Sequence, residues 1–324
     1  MSIAIAAEAL NSALKNVAFI VGPTGSGKSA LAIEVADALG AEIVNADSRQ
    51  VYRAMDIGTA KPTPAERARV PHHLIDVRSP ADPIDAAEFA ALATDAIAGI
   101  VARGGIPIVV GGSGLYLRAI RGGIFRGPKA SPEIRARLHR QARESGTAEI
   151  HRRLAQIDPR AAARINLNDE YRIVRALEVF ELTGVPISHH HETHAFGDRP
   201  FNAVMMAIDS DRERLYENID RRFDAMIAAG LVAEVRALLD AGYNAERQPM
   251  ASIGYREIAA YLKGSITLEE AIDRAKRETR RLAKRQLTWF RAEPEVIALD
   301  REFPSRHALE IIAQRGITGG ANKR

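Results

Sequence analysis

A glycine-rich segment that directly follows an apolar run constrains the fold of this chain more than any other feature. Residues 17–21 are all apolar and predict a buried strand, and residues 30–39 have the apolar period of a helix. The sequence between them, GPTGSGKS, has the spacing of a phosphate-binding loop in its strand–loop–helix context. The predicted phosphate-binding residues are Gly22, Pro23, Thr24, Gly25, Ser26, Gly27, Lys28 and Ser29.

Each part of this loop has an expected role. Glycines let backbone N–H groups close around phosphate oxygens, and the helix N-terminus adds its positive end. Lys28 is expected to reach the terminal phosphate, and Ser29 is expected to hold Mg²⁺. The loop predicts phosphate binding, whether of a nucleotide such as ATP or of another diphosphate, but it does not specify the reaction.

A carboxylate follows the next predicted strand. Residues 43 and 44 predict that strand, so Asp47 emerges at its carboxyl end, where ligands bind in open parallel sheets. An aspartate there can act as a general base or as a partner of bound magnesium. The alternative is a helix cap or turn residue, which is common for aspartate in a short loop.

The pattern of elements predicts an α/β protein. Buried strands at residues 17–21, 43–44, 74–77 and 106–110 alternate with helices, as in a parallel sheet. Residues 131–183 read as helices only, and residues 202–208 resume an apolar strand. We predict a phosphate-loop α/β core formed by residues 1–123 and 201–324, with an all-helical insertion at residues 124–200.

Composition excludes several classes of protein. The chain of 324 residues has no cysteine, which excludes disulfides and thiolate metal sites. No apolar stretch approaches the roughly 20 residues that span a bilayer. Residues 1–14 lack the basic start of a signal peptide, so we expect a cytoplasmic protein that does not engage membranes.

A run of histidines suggests a metal site, but weakly. It comprises His189, His190, His191 and His194. Adjacent histidines in a polar loop cannot all face one ion, and no second carboxylate-rich patch accompanies them. We favour a solvated loop.

A cationic stripe marks a predicted helix near the C-terminus. On a helical projection Arg274, Arg280, Arg281, Lys284 and Arg285 lie within about 80° of Arg277, and apolar residues occupy the other side. Glu278 is the only acidic residue between positions 274 and 292. A one-sided stripe is typical of contact with a nucleic-acid backbone, although a solvated surface helix is the alternative. The net charge of +4 is only mildly basic.

A second predicted helix presents an arginine inward. Leu215, Ile219 and Phe223 mark its buried face, and Arg222 lies about 20° from Leu215 on the projection. Arg221 lies about 120° away and is expected to face solvent. We therefore predict that Arg222 reaches the phosphate site.

Eight motifs in order along the chain resemble those of the tRNA dimethylallyltransferase family. They are GPTGSGKS (22–29), DSRQVY (47–52), MDIGTAKP (55–62), PHHLID (71–76), VGGSGLY (110–116), RALEVF (175–180), IGYR (253–256) and AKRQLTW (283–289). The phosphate loop alone is shared by many families, but this ordered set is highly specific.

The resemblance implies a reaction and a set of roles. The enzyme would move a dimethylallyl group from dimethylallyl diphosphate, with Mg²⁺, to N6 of adenosine 37 in tRNAs that read codons beginning with U. It would bind the tRNA anticodon stem-loop, and we expect it to act as a monomer. The resemblance implies catalytic roles for Asp47 as general base, Lys28, Arg222 as a diphosphate contact, and Ser113, where most relatives carry threonine.

The resemblance also implies tRNA contacts on both predicted domains. The expected contact residues are Asp47, Ser48, Arg49, Gln50, Ser113, Arg135, Tyr171, Arg172, Ile173, Val174, Arg175, Ala251, Ser252, Ile253, Gly254, Tyr255 and Arg256. The stripe residues Arg277 and Arg281 are added from their position on the predicted helix. The helical insertion and the stripe would then hold the stem-loop from two sides.

Two other functional classes remain open on the sequence alone. An ATP-dependent small-molecule or nucleotide kinase is supported by residues 204–209, an apolar strand that ends in Asp209 like the magnesium-binding strand of nucleotide hydrolases. A nucleic-acid-binding module without catalysis is supported only by the stripe. Turnover of ATP without tRNA would favour the kinase.

Overall fold

The chain is built from two compact units. The computed structural model describes residues 16–124, 127–193, 201–246 and 248–319. One unit comprises Met1–Gly122 and Arg199–Arg324, and the other comprises Gly123–Asp198. The predicted insertion, residues 124–200, differs from the second unit by no more than two residues at either end.

A six-stranded parallel sheet forms the centre of the first unit. Its strand order is β3-β2-β4-β1-β5-β6. The strands are β1 (Asn16–Val21), β2 (Glu42–Asn45), β3 (His72–His73), β4 (Pro107–Gly111), β5 (Asn202–Ile208) and β6 (Val296–Leu299). The prediction of an α/β fold with a parallel sheet is confirmed.

Fourteen helices lie in the described residues. They are α1 (Lys28–Leu39), α2 (Pro64–Arg69), α3 (Ala86–Ala102), α4 (Gly114–Gly122), α5 (Pro132–Ser145), α6 (Thr147–Ile157), α7 (Pro159–Arg164), α8 (Glu170–Thr183), α9 (Ile187–Thr193), α10 (Arg212–Ala228), α11 (Leu231–Asp240), α12 (Tyr255–Leu262), α13 (Leu268–Arg291) and α14 (Pro304–Gln314). None of those in the described residues is both long and apolar enough to cross a membrane.

The register of the sheet brings three loops to one edge. Val21 at the end of β1 pairs with Gly111 at the end of β4, and Asn45 at the end of β2 pairs with Val110. The loops that follow these strands therefore leave the sheet side by side. This register, and not proximity in sequence, places the phosphate loop next to Asp47 and Ser113.

The core beneath this edge is apolar and tightly closed. Ala18 and Ile20 of β1 are completely buried and belong to one hydrophobic cluster with residues of α1 and α14. At roughly 25 cal/mol per Å² of buried apolar area, a cluster of this size contributes a large part of the folding free energy. It also fixes β1, and with it the start of the phosphate loop.

The second unit contains only helices among its described residues. Leu138, Leu154, Ile173 and Leu177 lie in its core with no more than 2% of their surface exposed. The prediction that residues 131–183 are helical is confirmed.

One buried carboxylate organises the second unit. Glu178 of α8 is completely buried and accepts hydrogen bonds from the backbone N–H of Ser131 and from the side chains of Arg135 and Arg175. These partners hold the pKa of Glu178 below its usual range, although burial alone would raise it. Arg135 and Arg175 therefore have a structural role in the unit.

Two local predictions are wrong. Residues 74–77 do not form a strand, because Leu74 and Asp76 have φ angles of 63° and 59°, which lie in the left-handed region and interrupt extended backbone. The parallel strand β3 lies just before them, at His72–His73. The histidine run is helical rather than a loop, since His189–His191 lie in α9, while His194 is outside the described residues.

Candidate active site

A cavity of about 450 Å³ opens at the sheet edge where β1, β2 and β4 end. Its walls come from the phosphate loop, from residues 47–50 after β2, and from residues 111–114 after β4. Helices α10 and α13 and residues 58–62 and 251–255 complete it. All of these elements belong to the first unit.

The phosphate loop has the geometry of an anion site. Helix α1 starts at Lys28 with Gly27 before it, and no side chain caps its first turn. The first N–H groups of a helix have no partner within the helix, so they are available to an anion. Gly25 has φ 86°, and a Cβ at this position would lie 2.9 Å from Ile219 of α10, so only glycine fits here.

An unpaired hydroxyl lies inside this loop. The Oγ atom of Ser26 is buried and has no hydrogen-bond partner in the described residues. A buried polar group without a partner costs free energy, so the loop favours a ligand that accepts a hydrogen bond here. A phosphate oxygen meets this requirement.

The oxygen donors at the cavity fit the expected magnesium ion. Ser29 and Asp47 both line the cavity, and hydroxyl and carboxylate oxygens suit Mg²⁺. No group of three or more metal-ligating side chains occurs in the described residues. Mg²⁺ bound through substrate phosphates needs only one or two protein ligands, so the set present is chemically adequate.

Two cations share the cavity. Burial in the cavity lowers the pKa of Lys28 to about 8; Asp47 raises this pKa and Arg222 lowers it further. Burial also lowers the pKa of Arg222, and Asp47 partly compensates. The cavity thus holds two positive charges that are incompletely neutralised, which favours an anionic ligand.

The orientation predicted for the two arginines of α10 is confirmed. Arg222 lines the cavity and donates a short hydrogen bond to the hydroxyl of Thr24 in the phosphate loop. Arg221 is exposed and contacts Asn218 on its own helix. The helical period alone separates these adjacent arginines, and the role of Arg222 remains a prediction.

Asp47 is presented by a short network of hydrogen bonds. Its backbone N–H donates to the side chain of buried Asn45 at 3.1 Å, and its Oδ1 accepts from the backbone N–H of Arg49 at 2.8 Å. Asn45 in turn donates to the carbonyl of Leu74 at 3.3 Å. The turn role weighed for Asp47 is therefore present, and its carboxylate still lies in the cavity.

Ser113 lies where the sequence predicts, at the cavity edge after β4. Gly111 and Gly112 before it are closely packed, because a Cβ on Gly111 would lie 2.3 Å from the carbonyl oxygen of Ala46. The contact ties the end of β4 to the segment that carries Asp47.

An apolar wall forms part of the cavity lining. It is formed by Ile219, Phe223 and Met226 of α10, Leu282 of α13 and Ile253. A hydrocarbon chain attached to a diphosphate would find apolar and ionic surfaces in one cavity. From the sequence, Ile219 and Phe223 are predicted only as part of a buried helix face.

Two side chains that organise the cavity were not predicted. Glu234 of α11 accepts hydrogen bonds from the backbone N–H groups of Asp56, Ile57 and Gly58, at 3.0, 2.7 and 3.1 Å, and from the hydroxyl of Tyr255. Gln286 of α13 contacts both the phosphate loop and the end of β4. The motif AKRQLTW contained Gln286, but no helical or charge pattern distinguished it.

The stripe on α13 is exposed in part. Arg277 and Arg281 are exposed, as are Arg274, Lys284 and Arg285. Arg281 pairs with Glu278 on the same helix. Arg280 faces α10 instead, because it forms an ion pair with Asp220 at 2.6 Å, so its assignment to the open stripe is wrong.

Of the candidate RNA-contact residues in the cavity wall, most are accessible and two are not. Ser48, Arg49 and Gln50 line the cavity, as do Ala251, Ser252 and Ile253, and Arg256 is exposed. Gly254 and Tyr255 are buried. The Tyr255 ring packs against Gly58 and its hydroxyl donates to Glu234; RNA contact at this residue stays a prediction.

A similar division applies in the second unit. Tyr171 and Arg172 are exposed, with 68% of the Tyr171 surface accessible. Ile173 and Val174 are buried in the helical core, and RNA contact at these two residues stays a prediction. They support the exposed residues by packing beneath them.

The feature that suggested a kinase has a different environment. Residues 202–208 do form strand β5, as predicted, and Asp209 follows it. The Asp209 carboxylate is half exposed and accepts from the guanidinium of Arg301, with an Nε–O distance of 2.8 Å. It does not line the cavity, so the kinase interpretation loses its main support.

Comparison with known proteins shows the family of this chain. A family model described as IPP transferase matches residues 50–293. The protein named tRNA dimethylallyltransferase 1 of Pelobacter propionicus is 50% identical over 296 residues, which cover 91% of this chain and 95% of that one.

Two solved structures are also similar. The tRNA isopentenylpyrophosphate transferase of Bacillus halodurans has a TM-score of 0.68 at 40% identity, over 93% of this chain and 96% of that one. A eukaryotic dimethylallyltransferase described as acting on tRNA has a TM-score of 0.75 at 27% identity, over 96% of this chain and 82% of that one. Since half of the 296 aligned residues are identical in a relative that matches most of the chain, this chain belongs to the IPP transferase family, the tRNA dimethylallyltransferases.

Proposed function

We propose that this protein transfers a dimethylallyl group from dimethylallyl diphosphate to N6 of adenosine 37 in tRNAs that read codons beginning with U. The products are N6-(dimethylallyl)adenosine and diphosphate. The proposal is supported by membership of the family and by one observation above others. Lys28, Arg222 and Asp47 meet in a single cavity that also has an apolar wall.

The cations stabilise the leaving group. As the bond between the allylic carbon and the diphosphate oxygen breaks, negative charge grows on the diphosphate. Lys28, Arg222 and the N–H groups at the start of α1 are placed to stabilise that charge before it develops. Bound Mg²⁺, held by Ser29, would supply further neutralisation of the diphosphate.

Asp47 is proposed to accept the proton. The N6 nitrogen forms a bond to the allylic carbon and must lose one hydrogen, which Asp47 can take as general base. The Asn45 and Arg49 contacts hold the Asp47 turn and leave a carboxylate oxygen for this task. The hydroxyl of Ser113 is proposed to orient the amine or a diphosphate oxygen.

The acceptor base must enter the cavity from RNA. An adenine within a stem-loop is stacked, so it has to be extruded to reach the allylic carbon. We propose that the exposed cations of α13 and the exposed residues of the second unit bind the anticodon stem-loop while the base enters. The apolar wall excludes water from the allyl group, which would otherwise be hydrolysed. We further propose that the enzyme acts in the cytoplasm as a monomer.

The role of Asp47 is tested by Asp47→Asn. Asparagine keeps an oxygen that accepts from the N–H of Arg49, so the turn is retained while the base is lost. We expect the single-turnover rate of dimethylallyl transfer to fall by roughly 10²–10⁴, with stem-loop binding little changed. A rate within threefold of the unaltered enzyme would exclude Asp47 as the base.

The diphosphate contact is tested by a matched pair of arginine variants. Arg222→Gln removes a cavity cation and is expected to reduce kcat/KM for dimethylallyl diphosphate by about 100-fold or more. Arg221→Gln, one position earlier and exposed, is expected to change it less than twofold. Steady-state kinetics with a fixed stem-loop concentration measures both. Equal effects of the two substitutions would show that overall charge, rather than the position of Arg222, matters.

The pKa of Lys28 predicts how diphosphate binding depends on pH. Lys28 is charged below its pKa of about 8 and neutral above it, whereas its ordinary value is 10.5. We expect the contribution of Lys28 to the affinity for inorganic diphosphate to be steady below this pH. It should then fall by up to about tenfold per pH unit above it, because binding must take up a proton there.

Calorimetry in buffers of different ionisation enthalpy measures that proton uptake. The part of the uptake that belongs to Lys28 should approach one proton above its pKa and vanish below it. Because diphosphate itself also exchanges protons in this pH range, this part is the difference in uptake between the unaltered protein and Lys28→Met. Equal uptake in the two proteins would assign the titration to another group.

The stripe on α13 is tested through the dependence of RNA binding on salt. Arg277→Gln should weaken binding of the stem-loop and reduce the slope of log K against log salt by about one, because one phosphate contact is lost. Arg306→Gln on α14, where the arginine side chain is 80% exposed, is the control and should leave the slope unchanged. An unchanged slope in Arg277→Gln would place the RNA elsewhere.

A further inference from the structure

A single side chain on α13 bridges two edges of the cavity. The Oε1 atom of Gln286 accepts a hydrogen bond from the backbone N–H of Thr24 at 2.9 Å. Its Nε2 atom donates to the carbonyl of Gly112, also at 2.9 Å. Thr24 belongs to the phosphate loop, and Gly112 precedes Ser113. One amide thus joins the loop that binds phosphate to the strand end that carries Ser113.

The bridge closes a ring of contacts around the phosphate loop. The hydroxyl of Thr24 accepts a hydrogen bond from Arg222 of α10. Asp220, also on α10, forms an ion pair with Arg280 of α13 at 2.6 Å. Helices α10 and α13 are joined again where Lys276 pairs with Asp224 at 2.6 Å. Leu215 and Ile219 of α10 also pack in one buried cluster with Ala283 of α13.

The same helix has a second, outward face. Thr279, Leu282 and Gln286 lie at intervals of three and four residues and line the cavity. Arg277 and Lys284 are exposed on the other side of the helix, and Arg285 is exposed on its flank. A ligand that binds those cations therefore contacts the same helix, α13, that is hydrogen-bonded to the phosphate loop through Gln286.

We propose that Gln286 is a positioning residue that couples RNA binding on α13 to diphosphate binding in the phosphate loop. RNA on the outer face holds α13 in place, and Gln286 and Arg222 then hold Thr24 and Gly112 in the arrangement that fits a diphosphate. Binding of each ligand therefore favours binding of the other, and the coupling is reciprocal. The inference rests on the proposed function for the identity of the two ligands.

The main competing interpretation makes Gln286 a placeholder. In that case the N–H of Thr24, which donates to the Oε1 atom of Gln286 in this structure, would donate to a phosphate oxygen instead once diphosphate binds. Removing the amide would then leave diphosphate binding unchanged or strengthen it. The two interpretations predict opposite signs, so one measurement separates them.

The experiment measures the affinity of inorganic diphosphate with and without a saturating anticodon stem-loop. In the unaltered protein the stem-loop should tighten diphosphate binding at least about fivefold, within the usual range of coupling between sites. Gln286→Met has nearly the same shape but makes neither hydrogen bond. In this variant diphosphate binding should weaken roughly tenfold, and the enhancement by RNA should fall below about twofold.

Three further measurements keep the outcome specific. Thr288→Ala, an exposed position on the same helix, should behave like the unaltered protein. Stem-loop affinity in the absence of diphosphate should be unchanged in Gln286→Met, which a general loss of structure would not allow. Asp220→Asn opens the ring at its other side and should also reduce the coupling, so the inference stays testable if Gln286→Met does not fold.

Clear results would overturn the inference. The first is that the stem-loop tightens diphosphate binding equally in Gln286→Met and in the unaltered protein. The second is that Gln286→Met binds diphosphate more tightly than the unaltered protein, and the third is that the stem-loop has no effect on diphosphate binding in the unaltered protein. The affinities of both ligands are measured without any transfer reaction, so a separate activity assay shows whether the proposed function fails. In that case the unaltered protein would transfer no dimethylallyl group to the stem-loop, while loss of coupling in Gln286→Met would still support the positioning role.

Discussion

Two cations held beside one carboxylate are the interaction on which the rest of this site depends. Burial lowers the pKa of both Lys28 and Arg222, and the single carboxylate of Asp47 opposes that effect for each. Keeping both charges in a cavity costs folding free energy, which the apolar core around β1 offsets. The linkage has a definite sign. Because the pKa of Lys28 lies below its value in an unfolded chain, the stability of the empty protein rises with pH between those two values. A bound anion would offset the cost of burying the two positive charges, so the folded site favours an anionic ligand.

The elements that the sequence predicts well are those set by local pattern. Four of the five predicted strands, the phosphate loop and the inward Arg222 all follow from apolar period and glycine spacing, and the structure contains each of them. The strand predicted at residues 74–77 fails for a non-local reason. The carboxylate of Asp76 binds Lys61 and Arg67, and the backbone there is left-handed. β6 was not predicted, since four residues carry too little periodicity.

Residues whose function depends on distant partners were out of reach of pattern reasoning. Gln286 is hydrogen-bonded to Thr24, which lies 262 positions away in the sequence. Glu234 accepts hydrogen bonds from backbone N–H groups more than 170 positions away. Neither residue breaks the helical pattern around it, so nothing local reveals its task. The same limit explains the error at Arg280, and it explains why the burial of Ile173 and Tyr255 was not predicted. The motifs predict which segments lie near the cavity. They do not distinguish a side chain that faces a ligand from one that packs against another helix.

The cavity also suggests how a phosphate loop can serve alkyl transfer instead of nucleotide chemistry. The loop supplies charge only, and its hydrogen bonds recognise any terminal diphosphate. Selectivity must come from the rest of the cavity lining. Here Phe223, Met226 and Leu282 present hydrocarbon, which suits a short branched chain. The aspartate after β5, which resembled a magnesium ligand, is engaged with Arg301 outside the cavity. We therefore infer that apolar side chains beside a common anion site, with the Asp47 carboxylate in the same cavity, adapt phosphate binding to the transfer of a carbon group.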